Sequence, residues 1–217
     1  MLKIITAPNT VLSKKSDFYN FKTNDASPTP LLRGMEEALL SASDPKGVGL
    51  AAPQIGKPLR IFMAKPTEKS KISVFINPEI LDYQTKGDSS GRAPDPTSLS
   101  SSKGQAAGLP AEALAKAGAE DEAEPRSQKV RKLEGCLSLP NIWGEVERAP
   151  SITLRYLDEK EKPQTKKFNG FMATIVQHEM DHLEGILFPK RVLEQGGHLY
   201  KSHKDEKGKD IFEEIEL

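Results

Sequence analysis

His178, Glu179 and His182 are the residues best equipped for chemistry in this 217-residue chain. On a helix, positions four apart lie one turn above each other on the same face, so the two imidazoles can close on one metal ion. Glu179 follows the first imidazole and is offset from the line of both, which aims its carboxylate at water on the metal rather than at the ion. Only four histidines occur in the chain, and two of them fall at this spacing with a glutamate so placed. A solvated helix face with the same pattern is the bland alternative, because the motif also arises by chance. The first expectation is therefore a mononuclear metal-dependent hydrolase with Glu179 as its acid and base.

A catalytic ion normally takes three protein ligands and keeps one position open, so the third ligand separates the classes. One class of metallopeptidase would need a further histidine at position 188, which holds Phe188. Another would use a downstream glutamate; Glu194, Glu206 and Glu213 are available, but in a polar tail without a second helical framework. Upstream, the single cysteine sits in Glu134-Gly135-Cys136-Leu137-Ser138-Leu139-Pro140, a loop bounded by glycine and proline. A thiolate there would be a strong ligand. An isolated cysteine reads equally well as a small buried hydrophobe.

The helix that must carry the histidines is read from Phe171, Ile175, Met180 and Leu183 at helical spacing, with Gly185 at its end. Alternation predicts strands over 143–148 and 151–157, separated by Ala149-Pro150 and followed by a polar turn at 158–163. In the first half, Leu31, Leu32, Met35, Ala38, Leu39 and Leu40 predict an amphipathic helix over 28–42, with Ser27 and Thr29 as candidate caps. Residues 46–56 are rich in Gly and Ala and are expected to form a tight loop rather than a strand interior. Strands are expected at 59–63 and 72–76, the second closed by Asn77-Pro78. From 87 to about 129 aromatics are absent and Gly, Ser, Pro, Ala and charge predominate, so this stretch reads as a flexible insertion with a short Ala-rich helix over 110–117. The expected organisation is one catalytic domain over 1–192 that contains this insertion, then a polar tail at 193–217 that carries little chemical information.

Lys plus Arg and Asp plus Glu each total 31, so no global basic field exists to recruit nucleic acid or an anionic membrane. No stretch approaches the roughly 18 apolar residues that span a bilayer, and no signal peptide opens the sequence. One cysteine forbids an internal disulfide and fits a reducing cytoplasm.

Three stretches carry a family resemblance in the family's own order: Gly47-Val48-Gly49-Leu50-Ala51-Ala52-Pro53-Gln54, Glu134-Gly135-Cys136-Leu137-Ser138, and Gln177-His178-Glu179-Met180-Asp181-His182-Leu183. With the opening Ile4-Ile5-Thr6-Ala7-Pro8 and Val11-Leu12, the chain resembles the peptide deformylases over about residues 1–86 and 131–192. The resemblance implies an α+β fold of antiparallel sheets around a central metal-binding helix. It implies Cys136, His178 and His182 as metal ligands, usually for ferrous iron, with zinc, nickel or cobalt able to replace it, and Glu179 as general acid and base. Glycines at 47 and 49 would let the backbone approach a substrate, and Gln54 could donate to an oxyanion. By resemblance Gln54 shares that task with the backbone N–H of Leu137, while Gly49 holds the peptide as an added strand. Glu134 and Arg148 match a charge pair that supports the metal loop. Val48, Phe171, Thr174 and Ile175 match the pocket for the first side chain, usually methionine.

The implied reaction removes the N-formyl group from the initiating methionine of new polypeptides and releases formate. The implied partners are formylmethionyl nascent peptides, with transient contact at the ribosome exit region. A peptidase of another His-Glu-x-x-His class and a non-enzymatic descendant without metal are the alternatives. Besides the insertion, Trp143 departs from the family pattern, standing where relatives often have a smaller or charged residue near the pocket rim. This departure is expected to alter preference beyond the first residue.

Overall fold

The structure, a computed structural model, describes residues 2–23, 27–43, 46–84 and 131–216. The insertion expected at 87–129, with its helix at 110–117, lies outside the described residues. In chain order the elements are α1 (Thr29–Ser41), β1 (Gly49–Ala51), β2 (Ile61–Ala64), β3 (Ser73–Gln84), β4 (Lys132–Cys136), β5 (Leu139–Val146), β6 (Ser151–Leu157), β7 (Pro163–Asn169), α2 (Gly170–Leu183), α3 (Phe188–Glu194), β8 (Leu199–Lys204) and β9 (Asp210–Glu214). One antiparallel sheet runs β1-β2-β3-β6-β7 and a second runs β4-β5-β8-β9. The fold is thus α+β, with antiparallel sheets around α2.

Side-chain alternation explains why α2 lies where it does. All four residues of β2 are buried, because both faces of the first sheet are covered. Phe62 and Ala64 pack with Ala173, Val176 and Leu183 of α2 on one face. Ile61 and Met63 pack with Met35, Ala38 and Leu39 of α1 on the other. A third core joins the second sheet to α3 through Cys136, Val146, Phe188, Val192 and Leu199. Among the described residues no helix is long and apolar enough to cross a membrane.

Three local readings are corrected. Residues 49–51, expected within a loop, form the edge strand β1, with Gly49 opposite Ala64 and Ala51 opposite Phe62. Small residues suit an edge against which α2 packs closely. Asn77-Pro78 does not end its strand. β3 continues through it by a bulge, with Asn77 at φ 50° and its amide hydrogen-bonded to both the N–H and the carbonyl of Tyr19. Beyond Val192, the polar stretch contains the hairpin β8–β9, which extends the second sheet by pairing β8 with β5.

The end of α2 is fixed by Gly185, which adopts φ 70°, and a Cβ there would stand 2.6 Å from the Ser13 carbonyl oxygen. Its N–H donates to His182 O at 3.2 Å and that of Ile186 to Asp181 O at 2.9 Å. The last turn of α2, which bears His182, is thereby closed.

Candidate active site

Cys136 comes from the end of β4, and His178 and His182 from one face of α2. The thiol sulfur and the ring nitrogens of the three lie within 4.8 Å of one another. Cys136 Sγ is 3.2 Å from His182 Nε2. His178 turns Nδ1 to Glu134 Oε2 at 3.0 Å, which leaves its Nε2 for a metal. The set of one thiolate and two imidazoles suits a first-row divalent ion, and two further features fit one. Glu179 Oε2 is buried without a hydrogen-bond partner. Burial alone would depress both imidazoles, and it holds His182 well below its usual value, yet hydrogen bonds with Cys136 and Glu134 outweigh it and raise His178 well above. A neutral His182 imidazole keeps a ring lone pair that can bind an ion. The three residues are positioned to bind a metal ion.

Glu179 lies one position on from His178, with its carboxyl against β1. A Cβ at position 49 would collide with Glu179 Oε1 and stand 2.8 Å from its Cδ, so glycine is required there for this approach. Burial pushes the Glu179 carboxyl up to about 7, with the charge of Glu134 adding to the rise and His178 and Arg148 opposing it. Such a group can both take and give a proton near neutrality. Gly47, grouped with Gly49 in the sequence reading as a point of substrate approach, instead packs on α1, where a Cβ would stand 2.7 Å from Leu39 O.

A layer of charge holds the ligands. Arg148 donates to both oxygens of Glu134 at 2.9 and 3.0 Å and to Asp181 Oδ2 at 2.6 Å. Arg191 of α3 grips the other side of Asp181, with its closest contact at 2.7 Å. Burial would raise the Glu134 carboxyl, but hydrogen bonds from His178 and Arg148 prevail and bring it down to about 2. Glu134 and Arg148, matched by resemblance to a pair, are parts of a buried chain running from His178 to Arg191. Asp181 and Arg191 are additions that sequence reasoning missed. Asp181 had a signal, standing between the two histidines, but Arg191 had none.

Gln54 is held by its own loop. Its Oε1 accepts from Ala51 N at 2.8 Å, so its Nε2 must face outward, donating to Ser138 Oγ at 3.1 Å and approaching Cys136 Sγ at 3.5 Å. Ser138 is fully buried and its N–H also points to Cys136 Sγ, at 3.4 Å. The N-terminal segment ties the two loops together: Ile5 N donates to Gln54 O at 2.7 Å and Ala7 N to Ser138 O at 2.9 Å. Neither Ser138 nor this tie was legible beforehand.

A cleft of about 350 Å³ opens on this cluster between the edge strands β1 and β4 and the first half of α2. Val48, Gly49, Gln54, Leu137, Phe171, Thr174, Ile175 and Glu179 all line it, so every proposed catalytic and pocket residue meets in one place. A larger crevice of about 490 Å³ follows another face of α2, past Arg60, Glu79, Asp181 and Arg191. Its charges pair among themselves or with immediate neighbours, as Arg60 with Glu184 and Glu79 with Arg155.

A family model described as polypeptide deformylase matches residues 1–196. The chain is 34% identical over 188 residues to a peptide deformylase of Mesorhizobium japonicum, with 85% of this chain and 80% of that protein covered. Peptide deformylase 1 of Bacillus cereus is 32% identical over 193 residues, at 88% and 92% coverage. Among solved structures, a peptide deformylase from Thermotoga maritima superposes with a TM-score of 0.60 at 26% identity, covering 88% of this chain and 97% of that one. One from Legionella pneumophila gives a TM-score of 0.62 at 26% identity, with 88% and 85% covered. Two antiparallel sheets around a helix that brings His178 and His182 to Cys136, together with these relatives, lead to one conclusion: the chain is an enzyme of the peptide deformylase family.

Proposed function

We propose that this chain hydrolyses the amide bond between the formyl carbon and the methionine nitrogen of N-formylmethionyl peptides, releasing formate. A divalent ion, ferrous iron by family resemblance, would be held by Cys136, His178 and His182. The observation that carries this reading is the place of Glu179: a buried carboxylate with one unpartnered oxygen, beside the ligand cluster and inside the cleft.

An ion bound at these ligands supplies Lewis-acid chemistry, polarising a carbonyl oxygen and acidifying water. Glu179 takes a proton from the attacking water as the water oxygen bonds to the formyl carbon. Gln54 Nε2 and the Leu137 N–H donate to the former carbonyl oxygen as it gains charge. Glu179 then delivers its proton to the nitrogen as the carbon–nitrogen bond breaks, leaving formate and a free methionyl amine. Val48, Phe171, Thr174 and Ile175 receive the methionine side chain. Gly49, on the outer edge of β1, holds the peptide backbone as an added strand. Glu134 and Arg148 keep His178 and the Cys136 loop in place. In the cell the substrate is a nascent chain met by transient contact at the ribosome exit, in a reducing cytoplasm that keeps Cys136 unoxidised.

The test is formate release from formyl-Met-Ala-Ser by protein reconstituted with ferrous iron without oxygen, beside a nickel-loaded sample. Activity in both and none after chelation is expected. Full activity in metal-free protein, or casein cleavage without formate release, would overturn the reading.

A further inference from the structure

Trp143 is the only tryptophan in the chain, and it stands in the wall of the cleft. On β5 it pairs with Gly135 of β4 on one side and with Tyr200 of β8 on the other. Its six-membered ring lies against Gly135, where a Cβ would stand 3.0 Å from two ring carbons. Glycine therefore lets the indole sit close to β4, one residue from Cys136. From behind, the hairpin β8–β9 holds the ring twice. Trp143 Nε1 donates to Ser202 Oγ at 3.1 Å, and Phe212 meets the indole edge-on with centroids 5.7 Å apart. Both contacts come from residues beyond 196, where the family match ends.

The rest of the mouth has the same character. Leu133 on β4 and Phe171 at the start of α2 are 44% and 51% exposed, which is much apolar surface to leave open beside a cleft. Lys46 and Lys132 also line it, although Lys46 is paired with Glu68. Among the described residues, lining carboxylates are confined to Glu134 and Glu179, both buried. An apolar lip with a residual positive charge disfavours a cationic side chain and favours a flat or aliphatic one.

We infer that Trp143, held by Ser202 and Phe212, is a specificity platform, so that the preferred substrates are formylmethionyl peptides with an aromatic or aliphatic side chain at one of the two positions after methionine. The hairpin β8–β9 acts through Trp143 as a positioning element. This rests on the proposed deformylation, and the platform can fail while deformylation stands.

The test compares kcat/KM on metal-loaded full-length protein for formyl-Met-Ala-Ser, formyl-Met-Phe-Ser and formyl-Met-Ala-Phe with the Lys and Asp counterparts of the last two. In parallel, Trp143 emission of the zinc-loaded enzyme is titrated with the corresponding deformylated peptides. A Phe peptide is expected to exceed its Ala reference by about three- to tenfold, mainly through KM, as an aromatic pair would give. It should alter Trp143 emission where the Lys peptide does not. Trp143→Ala should abolish the Phe/Lys ratio, Trp143→Phe should keep part of it, and Phe212→Ala should reduce it. Equal kcat/KM for all peptides, or an Asp preference unchanged in Trp143→Ala, would overturn the platform and leave deformylation intact. Absence of turnover on every formyl peptide would overturn the activity instead, and the emission titration would still decide the platform.

Discussion

Arg148 spans the gap between the loop that presents Cys136 and the helix that presents the histidines, holding Glu134 with two nitrogens and Asp181 with the third. All three side chains are buried, at 8%, 6% and 11% exposure. Their mutual attraction offsets a large desolvation cost, and removing the shared cation leaves two buried carboxylates short of positive charge. Arg148→Met should therefore destabilise the metal-loaded protein by about 3–5 kcal/mol in urea unfolding. A loss below about 1 kcal/mol would mean that the loop is fixed by other contacts. At this scale the sequence was most informative where chemistry restricts residue type. Few side chains bind metal ions, and His178 and His182 could be picked out by type and spacing, whereas Cys136 read equally well as a buried hydrophobe until the family resemblance was drawn. Ser138 and Arg191 could not, because serine and arginine are common in solvated positions and only the folded chain brings them to Gln54 and Asp181.

Elements were legible in proportion to their hydrophobic period. α2 buries Ala173, Ile175, Val176, Met180 and Leu183 on a recurring face, and β6 alternates Ile152, Leu154 and Tyr156 inward, so both could be read from pattern. β9 has all five residues exposed and β8 only Leu199 buried. No period marks such strands. Backbone pairing places them, β8 on β5 through Gly144 with Leu199 and Ile142 with Lys201, and β9 on β8. β1 was missed for the opposite reason. Its small residues lower strand propensity, yet Gly49 must lack a side chain to admit Glu179. The bulge at Asn77 shows the same limit, since Asn-Pro commonly ends strands and only contacts made in the folded chain, with Tyr19 and Arg60, carry the sheet through it.

In the whole molecule, the ligand set joins two bodies of structure. Cys136 belongs to the second sheet and its core, whereas His178 and His182 belong to a helix packed on the first sheet. An ion held by all three would cross-link the sheets at the base of the cleft and would stabilise the folded state by its preference for folded over unfolded chain. At a free concentration of about 100 times its Kd that preference is worth about 2.7 kcal/mol. For a chain of this size the melting temperature should then fall by about 5–10 °C on chelation and recover when metal is restored. An unchanged melting temperature on verified metal loss would place the ion outside the three-residue cluster.

Fold, cleft and metal-binding cluster would serve several hydrolyses, and Glu179 is the carboxylate that the proposed reaction needs to move the proton at the formyl group. The most direct measurement is formate release from formyl-Met-Ala-Ser by Glu179→Gln, with bound metal determined in the same sample. Stoichiometric metal with turnover reduced by at least about 100-fold is the predicted result. Near-normal turnover at full metal content would contradict it.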